Sequence, residues 1–247
     1  MIETRRQERV EHLVINVPPV NVFGAGALRE LALALRRCAC EDGIAAVLLS
    51  GEGRCFSAGA SVAEHKADQA EAMLGALVDV CVALEELPVP AVALVHGSCL
   101  GGAMEVVSFC DFVVADPGAT FGQPEIKLAF FPPVACSQLP RLAGLQNAAY
   151  AILSGETLSA ERAAAMGVVQ KILPREDWGQ VAALFNGLSA AALRVAKEGL
   201  ILGAGATRRE QLEKLKQLFL SRLYRLEDVE EGIRSFEEKR RPEWKHR

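Results

Sequence analysis

The segment HGSCLGGAMEVVSFCD, His96–Asp111, joins two kinds of apolar pattern and thereby decides the fold. Immediately before it runs PAVALV, a short unbroken apolar stretch of the kind that makes a buried strand. Within it a helix-like run begins after the glycines, and FVVAD, a second strand-like run, overlaps its end. Strand, glycine turn, helix, strand is the rhythm of a parallel α/β sheet. At the turn Gly101 and Gly102 leave the backbone bare, and Glu105 follows Gly102 by one helical turn. A glutamate in the first turn favours a helix N-terminus electrostatically. Beside bare backbone it is also placed to act on whatever the loop binds.

The same alternation extends outward. VEHLVINV reads as a strand, GALRELALALRRCAC as a helix, IAAVLLS as a buried strand, and QAEAMLGALVDVCVALEEL as a long helix stopped by Pro88 and Pro90. After about residue 174 the strand-like runs cease. DWGQVAALFNGLSAAALRVAKEGLILG, RREQLEKLKQLFLSRLYRL and EDVEEGIRSFEEKRR read as helices. The expected organisation is an α/β core over residues 1–174. A helical region over 175–247 would pack on that core or on a neighbouring subunit.

Composition narrows the function classes. The chain has 247 residues, is 51% hydrophobic and 23% charged, and carries a formal net charge of −4. That composition suits a buried core, and no basic field points to nucleic acid. The charged start MIETRRQERVEHL has no signal-peptide core, and runs such as AVALV are too short to span a bilayer. Seven cysteines, with no CxxC pair, read as reduced thiols of a cytoplasmic protein without a metal site.

Chemistry is expected at two loops rich in small residues, GEGRCFSAGAS after AVLLS and HGSCLGGA after AVALV. In open α/β sheets ligands bind beyond the carboxyl ends of the strands. Two such loops side by side would point main-chain N–H groups at one oxygen, as an oxyanion hole requires. Glu105, together with Glu125 in TFGQPEI, could then act as base and acid on one water.

CFSAGAS, HGSCLGGAMEVVSFCDFVVAD and ATFGQPEIKL together resemble the enoyl-CoA hydratase/isomerase (crotonase) superfamily, and GETLSAERAAAMGVVQKILP and EGIRSFEEKRRPEWK extend the likeness along the chain. The resemblance implies a crotonase-like spiral of ββα units closed by C-terminal helices. It implies an acyl-CoA thioester as substrate and no cofactor beyond the coenzyme A that the substrate carries. By the same resemblance, the N–H groups of Ala60 and Gly102 form the oxyanion hole and Glu105 and Glu125 are the catalytic pair. Retention of both acids favours hydration. Ser57, Ala58, Ala60, Phe236 and Lys239 match positions that meet coenzyme A, the last two typically from a neighbouring subunit. Assembly as a homotrimer or a dimer of trimers is implied as well.

Departures from the family pattern bear on the acyl group. Ser61 stands where an aspartate is common, and Ala103 replaces a third glycine. LAFFPPVACSQLPRL replaces a glycine-rich stretch, so Pro133 has no N–H to offer a water. Phe130, Phe131, Pro132 and Pro133 would form a flat apolar pocket, although the prolines also suit a plain helix start. FPP, FGQPEI and the SAGAS…EH run resemble the cyclohexa-1,5-diene-1-carbonyl-CoA hydratases of aromatic-acid (benzoyl-CoA) degradation. His65 belongs to that run and is expected at the surface, without a catalytic part. The alternatives are a linear enoyl-CoA hydratase, an enoyl-CoA isomerase, or a non-catalytic acyl-CoA-binding protein.

Overall fold

The computed structural model describes residues 1–41, 43–186, 188, 190–203, 208–225 and 227–243. Trp244 and Lys245, at the end of the closing stretch quoted above, lie outside the described residues. The strands are β1 (Ile2–Gln7), β2 (Val10–Ile15), β3 (Ala46–Gly51), β4 (Ala91–Val95), β5 (Ser98–Leu100), β6 (Phe112–Ala115), β7 (Thr120–Gly122), β8 (Thr157–Ser159) and β9 (Lys171–Ile172). The helices are α1 (Ala25–Ala39), α2 (Ala70–Glu86), α3 (Gly102–Val107), α4 (Pro133–Ala143), α5 (Leu145–Ser154), α6 (Ala160–Ala165), α7 (Gly179–Asn186), α8 (Ala190–Gly203), α9 (Arg208–Arg222) and α10 (Glu227–Glu237). Short 3-10 turns span Val62–His65 and Pro124–Leu128.

The unbroken apolar runs become β3 and β4, every residue of which is buried. They lie at the centre of a six-stranded sheet ordered β1-β2-β3-β4-β6-β9, parallel except for the β1–β2 pair. Burial on both faces is why these strands read as continuous rather than alternating. α1 turns Leu28, Leu31 and Leu35 inward, and they join Met73, Leu77 and Val80 of α2 in the main core. The opposite face, with Val10, Ala46, Leu48, Val92 and Val114, is covered by Trp178, Val181, Ala182 and Phe185. The charged N-terminus carries no strand signal, yet it pairs as β1 along the sheet edge, with its polar side chains largely in water. Edge strands tolerate that composition.

The change at residue 174 is one of secondary structure and not of packing. α7 completes the second face of the sheet, α9 lies against α2 and α4, and α10 lies on the Pro124–Leu128 turn. What reads as one long helix after Trp178 is two, α7 and α8. α8 is pinned by Lys197, whose buried ammonium is 2.7 Å from Asp111 Oδ2 and donates to the carbonyl of Val89 at 3.0 Å. Asp111 Oδ2 also accepts from the N–H of Ala91, so one carboxylate ties α8 to the start of β4.

A second sheet, β5-β7-β8, stands beyond the carboxyl end of β4. It carries β7 into the Pro124–Leu128 turn. α10 approaches that turn through Gly232, where an added Cβ would lie 2.1 Å from the carbonyl oxygen of Leu128. Helix propensity alone would favour a larger residue than glycine, by up to about 1 kcal/mol; the contact reverses that preference. Gly232→Val is expected to lower stability by about 1–3 kcal/mol, the usual cost of overpacking, read as a lower denaturant midpoint at unchanged slope.

Candidate active site

The two glycine-rich loops meet. The first is clamped by Asn21, whose amide donates to the carbonyls of Glu52, Cys55 and Phe56 at 2.9, 2.9 and 3.1 Å. It then runs beside β5: Ser57 N–H donates to Ser98 at 3.0 Å, and Leu100 N–H donates back to Ser57 at 3.3 Å. On its other side Phe23 donates to the Gly59 carbonyl and accepts from the Ser61 N–H. That pairing uses the residues flanking Ala60 and turns Ala60's own N–H away from Phe23. A Cβ added at Gly102 would lie 3.2 Å from Ala60 Cβ and 3.4 Å from its nitrogen. Among the described residues, neither the Ala60 nor the Gly102 N–H has a protein acceptor. Gly102 opens α3, so its N–H is one of the helix's unpaired first-turn donors.

Glu105 is buried on α3. Its Oε1 accepts from the N–H groups of Val134 and Ala135, both at 2.8 Å, in the first turn of α4. Its Oε2 accepts from no described protein donor. Pro132 and Pro133 occupy the cap and first position of α4, where a missing N–H costs nothing. The prolines therefore start the helix, and the next two donors converge on Glu105. Burial raises the proton affinity of Glu105 to a pKa of about 7, with the two N–H groups opposing the rise.

Glu125 sits in the Pro124–Leu128 turn, half-buried, with its carboxylate against Gly101. Gly101 has φ +52°, and a Cβ there would lie 2.6 Å from Glu125 Oε1. Glycine is required at this position twice over, for its backbone conformation and for the space it leaves. Burial first, and then the charge of Glu105, raises the proton affinity of Glu125 well above that of an ordinary carboxylate. Two neighbouring buried carboxyls, only one of them held by helix-start donors, thus differ in proton affinity.

Two residues here went unread in the sequence. Gln123 is fully buried with its amide against Glu125. With its nitrogen turned to the carboxylate, Gln123 reaches Oε1 at 3.3 Å and Oε2 at 3.1 Å. Cys136 is half-buried on α4, and burial and the two glutamates push its thiol up to about 12, leaving it neutral.

The expected pocket residues belong to an aromatic cluster. Phe130, buried, stacks on Phe219 of α9 with ring centroids 5.8 Å apart, and Phe131 lies 5.3 Å from the same ring. Tyr224 contacts both Phe130 and Phe219. His65, expected at the surface, is instead packed edge-on to Phe130 at 5.0 Å. Its Nδ1 lies 2.7 Å from the carbonyl of Ser61, and burial lowers its pKa. Phe219 and Tyr224 lie some ninety positions beyond Phe130 in the chain, and no local signal marks them.

The residues matched to coenzyme A fall on two segments, the Ser57–Ala60 loop and the end of α10 with the residues just beyond it. The Ser57 hydroxyl is buried and donates to the Asn21 carbonyl at 2.5 Å, while Ala58 is exposed. Phe236 and Lys239, both exposed, border a shallow cavity of about 430 Å³ with Lys127, Leu128, Arg240 and Pro242. This cavity lies where α10 meets the turn that carries Glu125. Among the described residues no cluster of side chains suits a metal ion, and no helix is long and apolar enough to cross a membrane.

The enoyl-CoA hydratase/isomerase family model matches residues 5–247. The chain belongs to that family. It is 32% identical over 234 residues to the cyclohexa-1,5-dienecarbonyl-CoA hydratase of Thauera aromatica, covering 93% of this chain and 90% of that protein. It is 32% identical over 249 residues to the 2,3-dehydroadipyl-CoA hydratase of Escherichia coli, covering 98% and 97%. The crystal structure of an enoyl-CoA hydratase from Mycobacterium avium subsp. paratuberculosis superposes with a TM-score of 0.87 at 25% identity, covering 98% of each chain. The fold is thus the crotonase fold, and the chain is an enzyme of the hydro-lyase class to which these relatives belong.

The carboxyl pair should titrate in two steps, the first near pH 7 from Glu105. Below that pH Glu105 is a neutral acid, and above it a carboxylate. Infrared difference spectra are expected to lose acid carbonyl absorbance in two stages as pH rises. Glu105→Gln should leave a single stage at lower pH than the wild-type second stage, because the neighbouring charge is gone.

Proposed function

We propose that the protein adds water across the activated double bond of an enoyl- or dienoyl-CoA thioester, and that the acyl group is cyclic. The observation that carries hydration is the nearness of two buried acids to each other and to two main-chain N–H groups that have no protein acceptor among the described residues. The thioester oxygen accepts from Ala60 and Gly102 as negative charge develops on it, each donor contributing about 3–4 kcal/mol of barrier lowering. Glu105, the carboxylate of the pair, takes a proton from a water whose hydroxide adds to the β-carbon. Glu125, the acid, delivers its proton to the α-carbon. The proton on Glu105 then returns to Glu125, and the site is reset. The reaction as drawn needs no metal or redox cofactor, and coenzyme A arrives with the substrate.

Two observations support a ring in the acyl pocket. Phe131, half-buried and backed by the buried pair Phe130 and Phe219, offers flat apolar surface next to the Glu125 turn, and the chain is similar to a hydratase named for a cyclic dienoyl thioester. Similarity at equal identity to a hydratase named for dehydroadipyl-CoA keeps linear thioesters as the second reading. Aromatic-acid degradation is the setting the first reading implies. The coenzyme A moiety is proposed to pass Ala58 and to reach the cavity bordered by Phe236 and Lys239. Assembly as a trimer or dimer of trimers, in the cytoplasm, is part of the same reading. The exposed Leu145, Tyr150 and Leu153 of α5 are surface that a neighbouring subunit would cover.

A turnover screen of cyclohexa-1,5-diene-1-carbonyl-CoA against linear enoyl-CoA thioesters, with product masses recorded, tests both parts. Gain of one water with the cyclic thioester preferred is the expected result. An unchanged mass with a moved double bond would make the protein an isomerase. Glu105→Gln and Glu125→Gln should each reduce hydration at least about a hundredfold, and near-full activity in either would end the two-acid mechanism.

A further inference from the structure

Gln123 is fully buried, and its amide faces Glu125 at one end and a hydrogen-bond donor at the other. Only one of its two orientations satisfies both ends. With oxygen toward Glu125, the amide nitrogen meets a donor, a mismatch whatever the protonation of Glu125; with nitrogen toward Glu125, that mismatch is gone and the nitrogen donates to Oε1 at 3.3 Å and Oε2 at 3.1 Å. The donor at the far end therefore dictates that N–H groups point at the carboxyl. Against the carboxyl also lies Gly101, whose conformation would bring a Cβ to 2.6 Å from Glu125 Oε1, so the absence of a side chain there leaves room for the carboxyl.

We propose that Gln123 is a positioning residue for Glu125, its amide nitrogen clasping the carboxyl so that the acidic O–H is directed into the cavity. The inference rests on the reading of Glu125 as the acid of the pair. A carboxylic acid whose oxygens face N–H donors finds no acceptor for its proton on that side. The O–H must turn toward Glu105 and the site between them. The same donors favour the carboxylate left behind after the proton departs, so they ease its delivery. Gln123 opposes the two influences that make Glu125 hold its proton: burial, and the charge of Glu105 on α3.

The other groups around the turn do not duplicate this role. Cys136 of α4 is a neutral thiol, and burial keeps His65 toward its neutral form. Arg234 of α10 and Arg240 just beyond it are engaged by Glu231, and Tyr150 of α5 donates to Glu156. Lys127, on the turn itself, is exposed.

The test is Gln123→Met, which keeps the length of the side chain and removes its donors. Infrared titration, which needs no substrate, should show the Glu125 step moved up by about one pH unit or more. The Glu105 step near pH 7 should stay in place. With crotonyl-CoA or cyclohexa-1,5-diene-1-carbonyl-CoA, kcat should fall at least about tenfold with KM within about threefold, and the alkaline limb of the rate profile should move up with the infrared step. A purely structural role would lower the unfolding midpoint without moving either limb. Should methionine prevent folding, Gln123→Asn serves instead. It keeps an amide but withdraws it by one methylene, and it should shift the same step in the same direction. A folded variant with an unmoved Glu125 step overturns the inference. If Glu125→Gln is inactive while that step is unmoved, the inference about Gln123 alone fails. If Glu125→Gln stays active, the two-acid mechanism fails instead.

Discussion

Two main-chain N–H groups at the start of α4 close on one oxygen of Glu105, and the rest of the site is arranged around that contact. A buried carboxylate without such donors would remain protonated, and α3 would present a neutral acid to the cavity. The contact also sets the position of α4 against α3. Ser108, one turn after Glu105, accepts at its carbonyl from the Gln138 amide at 2.8 Å, so a second rung parallels the first. Through α4 the aromatic cluster is located, since Phe130 and Phe131 immediately precede the prolines that begin the helix.

Glu125 is governed by the opposite circumstance. It lies in a short turn, with glycine on one side and a buried amide on the other, and no helix start points at it. Two chemically identical side chains thus acquire different proton affinities from backbone placement. The sheets supply that placement: β4 and β5 deliver the Gly101–Gly102 junction, and β7 delivers the turn of Glu125. Main-chain pairing among β5, β7 and the Ser57–Ala60 loop fixes all three within one hydrogen-bonded framework.

Much of this was legible in the sequence because it depends on local pattern. The buried strands, the helix after Gly102, and the one-turn offset between Gly102 and Glu105 follow from apolar runs and helical geometry. The meeting of the two small-residue loops was legible from their common position after parallel strands. Other features depend on residues far apart in the chain. The stack of Phe219 on Phe130 arises from α9 crossing α4, and the burial of His65 follows from that crossing. Pro133 announced a missing N–H, but the chain alone did not reveal that the next two N–H groups share a single acceptor. Gln123 carried no signal, because a glutamine before a proline reads as a loop residue until its surroundings are known.

The unequal treatment of the two Glu105 oxygens has a stereochemical consequence. Oε1 is occupied by the helix start, and only Oε2 is left to hold a water. A thioester held at its carbonyl oxygen as proposed would then meet that water from a single direction. In the proposed hydration, the backbone contact that favours the ionised form of Glu105 would therefore also select one face of the double bond and give a hydroxyacyl product of one handedness.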